Sequence, residues 1–368
     1  MIMAKQKAKK KGLSPNAKWG IAFLVEIFIA AVMGIGYLFF YANAKLNKIV
    51  KVELKEEELA INEGSNEAQK GYTTIALFGI DARSTDSMME GNRSDAIIIA
   101  SINNETKEVR MASVYRDTLL AVSGNGTTKA THAYAYGGPE LAVQMLNENL
   151  DLQITDFATV NFLALTKAID DLGGITINVK EEELEMLNLC ITEQIGVTGI
   201  YSDGVFSAGE QLLNGTQATA WARIRSTDQG DITRTERQRT VISKIIAKAK
   251  HAGLSTINEV IDDVFPCICT SLDKGEILDL AKGMLDYDMG PTIGFPMELE
   301  MVGHETKGSI IVAADLFSNV QALHQFLFGT EAYTPTQTVQ GISNDITAET
   351  GIGARPININ EFIPPSDN

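Results

Sequence analysis

Arginine is scarce in this chain of 368 residues: there are ten, against 21 lysines and 47 acidic residues, and the formal net charge is −16. No Asp or Glu precedes residue 19, where six lysines gather (Lys5, Lys7, Lys9, Lys10, Lys11 and Lys18). Taking those six positive charges away from −16 leaves −22 on the remainder, which excludes a general affinity for nucleic acid or an anionic surface. Cysteine is rarer still. Three thiols allow one disulfide at most, and Cys267 and Cys269 are too close in sequence to pair easily. That leaves Cys190 paired with one of them, or three buried thiols. Nucleotide loops are missing as well: no Walker or dinucleotide pattern follows Gly173-Gly174, which reads as a helix stop before a strand. His132 has no metal-ligand spacing around it and suits packing or a loop hydrogen bond.

What is present begins with a membrane segment. Residues 19–41, WGIAFLVEIFIAAVMGIGYLFFY, form a mostly apolar run that spans roughly 34 Å as a helix at about 1.5 Å per residue. Lysines before it and an acidic chain after it predict a cytoplasmic N-terminus and an extracytoplasmic main domain. Ala42-Asn43-Ala44 resembles a signal-peptidase site, but the apolar run is far longer than a signal h-region of roughly 7 to 15 residues, so a retained anchor is expected. Glu26 lies in the cytoplasmic third of the span and reaches toward the interface.

Beyond the anchor, residues 42–71 are charged and end in Gly, Ser and Asn, the composition of a stalk with some helix. TTIALFGID, DAIIIASIN and KEVRMASVYRD are runs of strand length, the last two predicting a hairpin around Asn103-Asn104-Glu105-Thr106. Helical and strand patterns then alternate, with Pro139 suited to a first helical turn. Residues 180–207 read as irregular. Two helices flank the TDQGD loop, with Thr233 and Glu236 as a capping box. Further helices are expected at 255–264, 273–287 and 315–328, and a strand near 308–313. This order predicts an α/β fold, a three-layer sandwich with a central mixed sheet between helices, over residues 72–332. Thr, Pro, Asn and Gly dominate residues 333–368 without an apolar period, the pattern of a disordered tail.

The arginines are not spread evenly. Five stand within residues 223–239, RIRSTDQGDITRTERQR, and four more within residues 83–116. Asp81 and Arg83 follow the first strand, Arg93 and Asp95 open the second, and Arg116 and Asp117 close the third, at strand ends where sites are commonly built. Any one such pair could be a structural salt bridge. Together with the later segment they suit phosphate chemistry: guanidinium forks bind phosphate bidentately, and two carboxylates with waters and phosphate oxygens suit Mg²⁺. An acidic protein repels a pyrophosphate unless local cations offset its charge.

The ordered motifs LFGIDAR, GNRSDAIIIASI, VYRDTLL, THAYAYGGPELAV, LGGITINV, LNGTQATAWARIR and GDITRTERQR closely resemble the LytR-CpsA-Psr family, from about Tyr72 to His251. The N-terminal anchor and stalk match it too. The resemblance implies an extracytoplasmic phosphotransferase that moves a glycopolymer from a polyprenyl pyrophosphate carrier to peptidoglycan, at the muramic acid 6-hydroxyl. It implies Mg²⁺ on Asp81 and Asp95. Arg83, Arg93, Arg116, Arg223 and Arg225 would surround the pyrophosphate, with Arg234, Arg237 and Gln238 added from the helix. Asp231 would orient that helix or an arginine, and the carrier's hydrocarbon would lie in an apolar tunnel walled by runs such as AIIIASI and LLNGTQATAW. Arg116 and Arg225 would then stabilise the departing phosphate, and Asp81, Asp95 and Asp117 all remain candidates for the base.

Spacings of three and four put Arg234, Arg237 and Gln238 on one helical face, with Arg239 elsewhere, solvated or paired with Glu236. Arg110 reads as a surface residue. Lys129 suits a solvated loop, and Tyr134 and Tyr136 could line an acceptor cleft. The family often carries Pro immediately before the Arg-Asp of its third station, where this chain has Tyr115. That exchange changes backbone stiffness and leaves the charge alone.

Overall fold

The computed structural model describes residues 41, 43–81, 88–89, 91–225, 230–283 and 285–363. The chain divides into two compact units, Met1–Asn47 and Lys48–Asn368. Of the first, the described part is a helical stretch ending at residue 46, so the basic segment and the expected span, Tyr41 apart, lie outside the described residues. Among the described residues no helix is long and apolar enough to cross a membrane.

In the second unit the strands run β1 (Val50–Lys51), β2 (Tyr72–Ile80), β3 (Ser94–Asn103), β4 (Glu108–Val114), β5 (Leu119–Val122), β6 (Gly126–Lys129), β7 (Asp156–Asn161), β8 (Ile175–Val179), β9 (Gly209–Leu213), β10 (Ile268–Thr270), β11 (Asp288–Phe295), β12 (Leu299–His304) and β13 (Gly308–Ala313). The helices are α1 (Ala130–Leu150), α2 (Phe162–Asp171), α3 (Leu184–Thr198), α4 (Gly215–Trp221), α5 (Asp231–Lys250), α6 (Leu254–Val264), α7 (Lys274–Gly283), α8 (Leu316–Phe328) and α9 (Gln337–Thr350).

Seven strands form the central sheet in the order β1-β10-β7-β2-β3-β4-β11. The pairs β1/β10, β7/β2 and β4/β11 are parallel and the other three antiparallel, so the sheet is mixed, as expected. The β3–β4 hairpin turns where the Asn103 side chain accepts hydrogen bonds from the backbone N–H groups of Glu105 and Thr106, a local alternative to the ladder that ends the strand. The run AIIIASI is apolar throughout because both faces of β3 are covered. Ile97 and Ile99 join the large core that includes Leu146 of α1, Leu323 of α8 and Val339 of α9, whereas Ile98 and Ala100 pack with Ile242 of α5 and Leu280 of α7. That makes three layers. A smaller core, with Ile169, Leu187, Leu213 and Trp221, joins α2, α3, α4 and the antiparallel pair β8/β9.

Several expectations need correction. Residues 180–207 contain α3, whose Leu187, Cys190 and Ile191 are buried in the smaller core. Residues 48–71 are no stalk: β1 pairs with β10, and Leu59 is fully buried in the large core. Residues 333–363 are likewise part of the domain, because α9 is capped by the Thr336 hydroxyl and buries Val339 and Ile346. Three apolar residues, Val339, Ile342 and Ile346, on a mostly polar helix are enough to seat it against a core that already exists, a signal too thin to see in composition. Of the two readings of the cysteines, three buried thiols is the one observed: Cys190, Cys267 and Cys269 are all free and buried. Helix α5 starts at Asp231 after Gly230, which removes Thr233 from the capping position. Helix α1 is broken at Gly137 and Gly138, where φ of +63° at Gly138 requires glycine, and Pro139 opens the second segment.

Candidate active site

The sheet topology itself assembles the charged stations. Strands β2 and β3 are antiparallel, with Ile80 opposite Ser94, so the end of one and the start of the other bring Asp81 and Asp95 to the same edge. Both line a cavity of about 360 Å³ together with Arg223, Arg225, Arg234 and Gln238. The first two arginines come from the turn after α4 and the last two side chains from the first turns of α5. Met186, Cys190 and Glu193 of α3 and Phe162 of α2 complete the wall.

Asp95 is the centre of the charge network. Its Oδ1 accepts a 2.6 Å hydrogen bond from Arg116 Nη1, its Oδ2 lies 3.6 Å from Arg225 Nη2, and its backbone carbonyl accepts from Arg234 Nη2 at 3.1 Å. Asp231 contacts two of the same arginines, with Oδ1 2.5 Å from Arg234 Nη2 and 3.7 Å from Arg116 Nε. Burial tends to lower the Arg116 pKa, but Asp95, Asp117 and Asp231 outweigh it and raise it above the usual arginine value. Arg234 goes the other way: burial pulls it down to about 10, only partly offset by Asp231. Burial likewise raises Asp231, against the pull of Arg234. Arg234 is 1% exposed, and its Nε and Nη1 are buried without a hydrogen-bond partner, as is Gln238 Oε1. A charged fork left short of acceptors beside a polar cavity is suited to an oxyanion.

An apolar cavity of about 220 Å³ adjoins the charged one, and Phe162 and Gln238 line both. Strand register makes its floor. Ala158, Leu77 and Ile98 form one row across β7, β2 and β3, and Val160, Gly79 and Ala96 form the next row, nearer the charged edge. Leu165 and Ile242 close it from α2 and α5. The volume is below the roughly 300–1,000 Å³ typical of sites for drug-sized molecules, so it accommodates part of a long hydrocarbon chain. AIIIASI supplies Ala96 and Ile98 as expected, but LLNGTQATAW contributes none of the lining; β2 and β7 take its place.

Other expected residues fall elsewhere. Arg83 lies outside the described residues. Arg93 is exposed and does not line the charged cavity; its field lowers the His132 pKa, after burial of that ring. Arg237 turns away to a buried pair with Glu183, at 2.8 Å from Nη2, under the Trp221 ring, so it braces α5 against the start of α3. Asp117 accepts from Lys129 at 2.9 Å and lies 3.5 Å from Arg116, outside the cavity lining. Lys129 is therefore paired, not solvated. His132 Nδ1 shares a 2.8 Å hydrogen bond with the Thr128 hydroxyl. Tyr134 is buried, donating to the Met88 carbonyl, and lines no cleft; Tyr136 is exposed beside His132. Arg110 is half-buried, donating to the Phe326 carbonyl and paired with Glu108. Arg239 is buried and donates to Thr292, not to Glu236. The contribution of α3 was missed with its helix: Gln194 accepts from Arg223 Nη1 at 2.9 Å, and the same guanidinium lies over the Phe162 ring at 4.7 Å.

Two carboxylates on one cavity fit Mg²⁺ in donor chemistry, since that ion takes hard oxygen ligands and keeps several waters and phosphate oxygens. No group of three or more His, Cys, Asp or Glu able to hold a metal occurs among the described residues, so protein ligands alone would leave the shell open.

Comparison with known proteins places these features. The LytR_cpsA_psr family model matches residues 36–312. The polyisoprenyl-teichoic acid–peptidoglycan teichoic acid transferase TagT of Bacillus subtilis (strain 168) is 30% identical over 292 residues, covering 77% of this chain and 86% of TagT. Among solved structures, gbs0355 from Streptococcus agalactiae superposes with a TM-score of 0.61 at 22% identity, over 76% of this chain and 95% of that one. YwtF (TagT) with bound octaprenyl pyrophosphate lipid superposes with a TM-score of 0.51 at 21% identity, over 82% of this chain and all of that one. The central mixed sheet with flanking helices is shared with these structures.

Proposed function

Because this chain belongs to the LytR-CpsA-Psr family, we propose that it is a phosphotransferase that moves a glycopolymer from a polyprenyl pyrophosphate carrier to peptidoglycan. The observation that carries the proposal is the pair of adjoining cavities. One is apolar and floored by the sheet, the other cationic at the sheet's edge, and Phe162 and Gln238 stand between them. A polyprenyl chain and its pyrophosphate make the same junction of hydrocarbon and charge. The apolar run 19–41 supports an anchor that holds this site on the outer membrane face.

In the proposed reaction the acceptor hydroxyl, taken as the muramic acid 6-hydroxyl, attacks the phosphorus nearer the glycan. A P–O bond forms to the acceptor, the pyrophosphate bridge breaks, and polyprenyl phosphate leaves with the electron pair. Arg225 and Arg234 would bind the pyrophosphate oxygens, and Arg116 would fix Asp95 while adding its own charge. Charge gathers on the leaving phosphate as the bridge breaks, so fixed guanidinium groups in a partly desolvated pocket stabilise the transition state more than the bound substrate. Asp81 and Asp95 would hold Mg²⁺, which supplies further charge neutralisation of the phosphates. The hydroxyl proton needs a carboxylate acceptor. Asp81 is exposed at the cavity with no partner among the described residues, whereas Asp117 is occupied by Lys129.

Purified full-length protein incubated with lipid-linked glycopolymer, Mg²⁺ and peptidoglycan should yield polymer joined to the wall through a phosphodiester. Arg225→Ala, at a half-exposed position, should lose at least about 100-fold in rate with an unchanged melting temperature, and Asp95→Ala should lose as much while still unfolding cooperatively. Full transfer by either variant would refute the assignment. Release of free polymer with no acceptor product would mark a phosphatase.

A further inference from the structure

Helix α5 has a second functional face. Arg234 and Gln238 look into the cationic cavity, whereas Glu236, Arg239 and Thr240 line another of about 610 Å³. At 3.6 residues per turn these two sets fall on opposite sides of the helix. Tyr115, the neighbour of Arg116, lines the same second cavity, as do Thr292 and Met297 on and after β11 and residues 361–363. It is therefore a separate chamber from the site described above.

Arg239 is the anomaly in it. The residue is 8% exposed, yet among the described residues its guanidinium makes one hydrogen bond, Nε to Thr292 Oγ1 at 3.2 Å. Among the described residues its Nη1 is buried without a partner and its guanidinium forms no ion pair. Arginine cannot shed its proton in a protein, and it presents five N–H donors. A buried guanidinium with one acceptor is the arrangement that folded proteins avoid unless a counter-charge arrives from outside. Burial holds its pKa below the usual arginine range, with Tyr115 and Glu236 only partly opposing that. Tyr115 supplies no counter-charge at neutral pH, since burial pushes its phenol up to about 12.

The rest of the lining narrows the class of ligand. Glu236 and Glu361 border the cavity, so a dianion such as a phosphate monoester would meet two carboxylates, whereas a monoanion gains Arg239 at less cost. Met297, Leu299 and Phe362 give the same chamber an apolar wall. We propose that this cavity is a second binding site, for a ligand that presents a carboxylate to Arg239 and an apolar group to Met297, Leu299 and Phe362.

Calorimetric titration of the full-length protein with N-acetylleucine tests this directly. Saturable binding to the wild type is expected, weakened at least about tenfold in Arg239→Gln and unchanged in Arg234→Gln, which alters only the cationic cavity. Glu236→Gln, at an exposed position that leaves folding intact, should tighten binding several-fold. No saturable binding, equal affinity in Arg239→Gln, or an unchanged affinity in Glu236→Gln would overturn the proposal. Loss of binding in Arg234→Gln would also overturn it, by placing the probe in the other cavity. Displacement of N-acetylleucine by inorganic phosphate at equal or lower concentration would mean a plain oxyanion site and exclude the carboxylate assignment.

Discussion

Both carboxylate oxygens of Asp151 are held by Thr336: Oδ2 accepts from its backbone N–H and Oδ1 from its hydroxyl, each at 2.7 Å. Asn62 Nδ2 and the Tyr333 hydroxyl bind the same carboxylate at 2.6 and 3.1 Å, so one fully buried side chain ties the segment before β2 and the segment before α9 to the end of α1. Asp151→Ala removes all four acceptor contacts and should cost about 3 kcal/mol, the scale for breaking a buried charged network. Limited proteolysis should then cut within residues 48–66 and 333–363 well before the rest. Unchanged protection of both segments would show that the apolar contacts hold them alone.

His324 provides a pH test of the same region. It is fully buried, stacked on Tyr333 at 3.7 Å, and its Nε2 donates to the Leu150 carbonyl while Nδ1 has no partner. Burial lowers its pKa from 6.5 to about 4, against the weaker pull of the Leu150 carbonyl and Asp151. A group whose folded value is depressed favours the folded state fully above its unfolded value, and that contribution is lost as pH falls from about 6.5 to about 4. The loss is at most roughly 3 kcal/mol at 1.36 kcal/mol per pH unit. Denaturant unfolding from pH 7 to 4 should show a steeper fall in stability for the wild type than for His324→Gln.

The floor of the apolar cavity depends on two small residues. A Cβ at Gly79 would stand 3.0 Å from the Ala96 Cβ, in the row nearest the charged edge. Gly79→Leu should fill the cavity, and octaprenyl pyrophosphate binding should weaken at least about tenfold, while inorganic phosphate still protects the cationic pocket against thermal unfolding. Retained lipid affinity would mean that the hydrocarbon follows another path.

Tyr115 tests the exchange noted at the third station. Its backbone N–H donates to the Phe295 carbonyl at 2.9 Å, and its ring is buried beside Gly294. Tyr115→Pro deletes that donor and the ring together, so it should cost about 3 kcal/mol or more from the lost hydrogen bond and the space left behind. The expectation that this position governs stiffness alone was too narrow, because here its N–H bonds the end of β11 and its ring fills the gap. A Tyr115→Pro protein with wild-type melting temperature would contradict this account.

Strand-length apolar runs, their turns and the clustering of arginine are local properties, and the β3–β4 hairpin and the mixed sheet between helices follow from them; which aspartates and arginines would form one site was implied by the family resemblance, and the antiparallel β2–β3 pairing is what brings Asp81 and Asp95 to one edge. Arg237 and Arg239 show where that reading stops. Helical spacing states which residues share a face, but not which partner each face meets; Glu183 draws Arg237 away, and the second chamber takes Arg239. The anchor and the phosphotransferase assignment rest on motif and composition. Tertiary structure alone decided the fate of residues 48–71 and 333–363 and the rows that floor the apolar cavity. Those features depend on pairings between positions far apart in sequence, 185 residues for Asp151 with Thr336, and a contact of that kind leaves no periodicity in the segments it joins.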